Sequence, residues 1–120
     1  MRCLMIITLE PEIWESLSEE ERDGVLGAHG RFQREVVERG ELLNSALLAG
    51  PSDTRTVRIR DGAAAVTDGA SLAATEHLAV YYLVECENWE RATELAAAIP
   101  DARYTSVEVR PLMHHAGMEM

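Results

Sequence analysis

The segment TDGASLAATEH, residues 67–77, gathers Asp68, Ser71, Glu76 and His77 into one short stretch, and His29 stands alone far upstream. A histidine paired with a carboxylate takes up and releases protons near neutral pH, so His29 is the candidate general acid/base. Its own helix offers it no carboxylate. Glu38 is nine residues on, and at ~100° per residue it points to the opposite side, while Glu35 lies ~120° away. Only Gln33, one turn on, is a local neighbour. The carboxylate must therefore come from elsewhere in the fold, and Asp68 is expected to supply it, with Glu76 as orienter or second acid/base. Strand alternation places Glu76 on the face of Val80 and Tyr82, and His77 on the face of Ala79 and Tyr81, so at most one of the two lines a given pocket. His77, Tyr81, Arg58 and Ser71 complete the set as substrate-binding candidates, with Arg58 and its neighbour Arg60 able to clamp an anion.

Each residue also has a plainer account. Asp68 beside Gly69 is a turn residue. Glu76 and His77 suit a solvated strand end, Arg58 and Arg60 a solvated face, and Tyr81 and Tyr82 a core or pocket wall. No pair of histidines or carboxylates falls at metal-ligand spacing on one element, and no metal is expected. His114 and His115 belong to a C-terminal tail, 113–120, outside a single domain spanning 1–112.

The elements that must hold these groups are legible along the chain. RCLMIITLE reads as a strand ending at Pro11, followed by a loop with Trp14 and Leu17. SEEE is a capping box with Ser18 as N-cap and Glu21 reaching back, opening a helix that runs to Arg39 and stops at Gly40. Its apolar stripe is Val25, Ala28, Phe32 and Val36. Gly24, Gly27 and Gly30 weaken that helix and hint at close packing. ELLNSALL is a second strand. TVRIR and AAAVT flank Asp61-Gly62, the strongest short hairpin signal. LAVYYLVEC is apolar on both faces, which marks a central, doubly covered strand. Asn88 caps a second helix that ends at Pro100, and YTSVEVR is the last strand. The order is a ferredoxin-like split βαβ arrangement with an inserted hairpin, an α+β fold. Right-handed crossovers put both helices on one sheet face. The other face then needs a cover, and a second copy of the chain packed sheet to sheet supplies it.

Composition removes several classes. The net charge is −10, and Arg55, Arg58 and Arg60 form the only dense basic group. Nucleic acid and anionic membrane surfaces both demand a basic face, so neither is expected as a partner. The chain contains no lysine, which excludes lysine Schiff bases and Walker-type phosphate loops. No apolar run is long enough to span a bilayer, and the N-terminus reads as a strand rather than a signal peptide. Cys3 and Cys86 lack metal or redox-motif spacing and read as buried thiols in a reducing cytoplasm; both fall on central strands, where they can be neighbours.

The opening LMIIT strand, LSEEER leading to AHGRF, RGELL, TRTVRIRDG, VTDG, YYLVE and the closing SVEVRPL resemble the YCII-related family, in its DGPF-domain branch, over nearly the whole chain. The resemblance implies a dimeric α+β barrel and a histidine–carboxylate pair using His29, where family members commonly carry histidine. Known activities among relatives include dehydrochlorination of a chlorinated hydroxyquinol. The wider superfold includes muconolactone isomerase, polyketide cyclases and cofactor-free monooxygenases. The chain departs from its branch at the signature loop: DGPF becomes Asp68-Gly69-Ala70-Ser71, and the following ETKEQLGG becomes AATEHLAV, residues 73–80. Two readings follow. One is a cofactor-independent enzyme using proton transfer for elimination, isomerisation or cyclisation of a small molecule, in bacterial specialised metabolism. The other is a non-catalytic ligand-binding or accessory dimer.

Overall fold

The computed structural model describes residues 1–70 and 77–117. In chain order the elements are β1 (Arg2–Leu9), α1 (Pro11–Ser16), α2 (Glu19–Glu38), β2 (Leu42–Leu47), β3 (Arg55–Arg60), β4 (Ala63–Asp68), β5 (His77–Glu85), α3 (Trp89–Ala98) and β6 (Val107–Pro111). Short 3₁₀ turns occupy Pro51–Asp53 and Pro100–Arg103. A four-stranded antiparallel sheet runs β2-β5-β1-β6, and β3 and β4 form a separate two-stranded ladder. This is the ferredoxin-like α+β arrangement, with the hairpin inserted between its halves.

The core lies between α2, α3 and one face of the sheet. Cys3, Met5 and Ile7 on β1 alternate into it, as do Tyr82 and Val84 on β5. Phe32 and Val36 meet them from α2, and Ala92, Leu95 and Ile99 from α3 and its end. Cys3 and Cys86 are neighbours within this layer, both free thiols. Burial, and then the adjacent Cys86, push the Cys3 thiol up to about 11, so that sulfur acts as a small apolar packer.

Local signals set the element ends. Ser18 Oγ accepts from the Glu21 backbone N–H, and Glu21 accepts from the Ser18 N–H, closing the capping box. Gly40 adopts φ 69° after α2, the left-handed conformation that terminates helices at low steric cost. Asp61 and Gly62 both have positive φ, 52° and 77°, the signature of a type I′ hairpin turn. The expected loop after β1 is instead a short helix, α1. Pro11 opens it with a preset φ and Glu12 stands in its first turn, both favourable at a helix start. Arg22 straps it to α2 by donating to the Trp14 and Glu15 carbonyls at 3.0 and 2.8 Å.

Two other expectations change. The three α2 glycines do not mark close packing: a methyl group at Gly24 would meet nothing within 4 Å. The strict alternation assumed for β5 also fails, because the β1–β5 register shifts between Ile7 and Thr8, leaving Ala79 as an extra residue on β5. A bulge of this kind inverts the face of everything before it. His77 pairs with Leu9 and Leu78 with Thr8, so His77 falls on the helix-bearing face with Val80 and Tyr82, not with Tyr81.

One ion pair ties the end of α2 to α3. Arg91 donates to both carboxylate oxygens of Glu41 at 3.0 and 2.9 Å, and to Glu94 at 3.0 Å. The Arg91 and Glu41 side chains are only 20% and 15% exposed. The hydrogen bonds from Arg91 hold Glu41 below the usual carboxylate range. A carboxyl lowered in this way stabilises the fold above its unfolded-state pKa, and that contribution disappears as pH falls through the lowered folded value.

Two outcomes are expected in denaturant unfolding. Gly24→Ala raises stability by about 1 kcal/mol, the intrinsic helix preference of alanine over glycine. Arg91→Gln lowers stability at pH 7 by about 1–2 kcal/mol, and the deficit narrows as pH drops below the carboxylate range near ~4.

Candidate active site

Beneath α2, on the helix-bearing face of the sheet, is a cavity of about 520 Å³. Its floor is Ile7 on β1, Ser45 on β2, and Val80 and Tyr82 on β5; Leu9 and Trp14 close one side, and Val25, Leu26, His29 and Gln33 of α2 form the roof. The walls are largely apolar with a few convergent polar groups, the usual make-up of a small-molecule site. Ala79, the bulge residue, also lines it, so the irregularity of β5 sits at the cavity edge.

The polar groups form a chain. His29 Nδ1 lies 2.8 Å from the Tyr82 hydroxyl, and His29 Nε2 is hydrogen-bonded to Asp101 Oδ1. A carboxylate can only accept, so Nε2 carries the proton in the neutral ring and Tyr82 donates to Nδ1. The order is Asp101, then His29, then Tyr82. The His29 and Asp101 side chains are 18% and 17% exposed. Phe32 packs edge-on to Tyr82 at 5.1 Å, and the His29 and Tyr82 rings lie nearly parallel, which limits their rotation. Asp101 is held from behind: its carbonyl accepts from the Tyr104 and Thr105 N–H groups at 3.0 and 2.9 Å. Burial, followed by the Asp101 charge, pushes the Tyr82 hydroxyl up to about 12. Its proton therefore stays on oxygen unless a base beside it shares the load.

The structure separates the residues that the sequence grouped. His29 is in the cavity wall, but its carboxylate partner is Asp101 and not Asp68. Asp68 ends β4 with its side chain 94% exposed, 4.0 Å from Arg55; hairpin geometry carries it out with the β3–β4 ladder. Glu76 and Ser71 lie outside the described residues. His77 has the correct face but is not part of the cavity wall. Tyr81 points to the helix-free side, where its hydroxyl donates to Asn44 Oδ1 at 3.3 Å; the pleat gives the cavity to its neighbour Tyr82. Arg58 is on the hairpin, on the strand face opposite Val57 and Ile59. His115 of the tail accepts from Arg2 Nη1 at 2.9 Å, which docks that part of the tail against β1.

Asp101 and the hydroxyl of Tyr82 escaped the sequence reading. Asp101 follows Pro100 at the end of α3 and reads there as a turn former. The available signal was topological: in a split βαβ fold both helices share one sheet face, so a polar residue at the end of the second helix can reach the first.

The fold and this site define an α+β protein with a histidine–carboxylate pair over an antiparallel sheet. The YCII-related domain family matches the chain over residues 1–115, and the chain belongs to that family. It is also 30% identical over 105 residues to an uncharacterized protein of Rhizobium meliloti (strain 1021), covering 86% of this chain and 85% of the relative.

The hydrogen-bond order has a direct readout. In protein labelled with ¹⁵N-histidine, the neutral His29 ring is expected as the Nε2–H tautomer, with the lone pair on Nδ1. Tyr82→Phe should shift the Nδ1 resonance, whereas Asp68→Asn should leave both ring nitrogens where they are.

Proposed function

We propose that the chain is a cofactor-independent enzyme that relocates protons on a small, largely apolar molecule bound beneath α2, in an elimination, isomerisation or cyclisation. The observation that carries this reading is the Asp101–His29–Tyr82 chain on the wall of an apolar cavity. Both ring nitrogens of His29 are engaged, so the lone pairs left to present to a ligand are on the Tyr82 oxygen and on the second carboxylate oxygen of Asp101, which also lines the cavity. The Tyr82 oxygen is the one directly coupled to a base. In one direction Tyr82 accepts a proton from the substrate while passing its own to His29 Nδ1, and the Asp101 carboxylate stabilises the imidazolium that forms. The reverse transfer returns a proton to a different substrate atom, or to the leaving group. A phenol pushed up to about 12 is a poor acid alone and a strong base once ionised. Coupling it to a histidine keeps the ionised form transient.

The finer assignments go with this reading. The paired RDG and TDG turns support placement in the DGPF-domain branch. Leu4, Ile6, Tyr81 and Leu83 lie on the helix-free face, and they support a homodimer packed through it. The second reading, ligand binding without chemistry, draws on the apolar walls, which could hold a molecule without any relay.

The test begins with thermal-shift screening of lactones, aromatic acids and polyketide-like phenols, followed by turnover assays on the hits. Expected losses in kcat are about 10²–10⁴-fold for His29→Asn and Tyr82→Phe, the usual worth of a positioned acid/base. Asp101→Asn should cost at least tenfold, while Asp68→Asn stays near wild type. A ligand that binds but is never turned over, with equal affinity in all four variants, would leave the binding reading in its place.

A further inference from the structure

The β3–β4 hairpin stands outside the packing that organises the rest of the chain. Among the described residues its two strands pair only with each other, and every residue of β4 is exposed. With it the radius of gyration is 16.4 Å and the longest extent 49 Å, against about 14 Å for a compact domain of this length. Cross-strand register puts Val57 opposite Val66 and Ile59 opposite Ala64, so these four share one apolar face. Val57, Ile59 and Val66 are 60%, 65% and 57% exposed. A lone two-stranded ladder is marginal in water at best, and this one carries an uncovered apolar face as well.

Charge indicates what covers it. Residues 55–68 carry three arginines and two aspartates, a net of +1, so the remainder of a chain of net −10 carries −11. Two copies of such a body repel each other, and the hairpin, net positive and exposed, is able to bridge them. A receiving surface is also present. Leu47 at the end of edge strand β2 is 81% exposed, Leu26 on α2 is 60% exposed, and both stand at the mouth of the cavity. The acid-rich start of α2, Glu19, Glu20 and Glu21, is on the same helix as Leu26.

We propose that each hairpin is an arm that docks on a second copy of the chain. Its Val57–Ile59–Val66 face packs on the Leu26–Leu47 rim and covers the mouth of the partner's cavity. The exchange is reciprocal, as twofold symmetry requires, and each site is completed by the other chain. The inference rests on the dimeric reading above and adds a second contact to it.

Sedimentation velocity and limited trypsin digestion test it on the full chain. Trypsin cleaves after arginine, and Arg58 and Arg60 lie on the arm. Wild type is expected to be dimeric, with slow cleavage at these two sites. Val57→Asp combined with Ile59→Asp should raise the dimer dissociation constant by about tenfold or more, speed cleavage of the arm, and leave the circular dichroism of the body unchanged. Leu47→Asp should do the same from the receiving side. A monomeric wild type overturns both the arm and the dimeric reading. A dimer equally tight in wild type and in either variant overturns the arm alone.

Discussion

The pleat of the two central strands is the constraint on which the rest depends. β1 and β5 each send alternate residues to one face, and both helices lie on that face. Met5 and Val84 have no exposed surface, and Ile7 has 1%. A shift of one residue would send this whole set to the other side. The register is therefore specified by burial, and whatever shares the parity of Met5 and Val84 is delivered under the helices. Tyr82 is delivered in this way, and Tyr81, one bond along the chain, is delivered to the other side.

The site is a consequence of letting that layer thin out. Toward the Cys3 end of β1 the space below the helices is filled by side chains. Toward Leu9 it opens into the cavity, where α1, the β5 bulge and the end of β2 replace close packing. Polar groups at such a depth must find partners or lose the free energy of hydration. Among the described residues every buried side-chain nitrogen or oxygen is satisfied. Tyr82, His29 and Asp101 meet that condition through one another, so the arrangement that avoids a burial penalty is also one able to pass a proton. The same bonds join the middle of α2 to the turn after α3, making the site a link between the two halves of the fold.

The hairpin follows a different logic. It is encoded locally by an Asp-Gly turn and alternating residues, and its ladder is separate from the main sheet. Its apolar face is largely exposed, whereas the helices and one face of the sheet cover each other. This contrast separates a body whose burial is nearly complete on the helix side from an appendage whose burial is not.

Much of the fold is legible in the sequence, because it is written in short-range terms: the Ser18–Glu21 capping box, the Gly40 stop, the Asp61-Gly62 turn, and the apolar run of β5. These depend on residues within a few positions of one another, as does the placing of His29 near the buried stripe of α2. The sequence also established that the carboxylate partner of His29 could not come from its own helix. It did not single out Asp101, since the two residues are 72 positions apart and meet only when α3 and its terminal turn fold back beside α2. Nor did it reveal the bulge at Ala79, which is a property of a pair of strands and not of either one. Periodicity and turn signals determined the strands and the two long helices, though not α1. The face of His77, the choice of Tyr82 over Tyr81, and the identity of the carboxylate were decided by the register and crossing of distant segments, where no local signal operates.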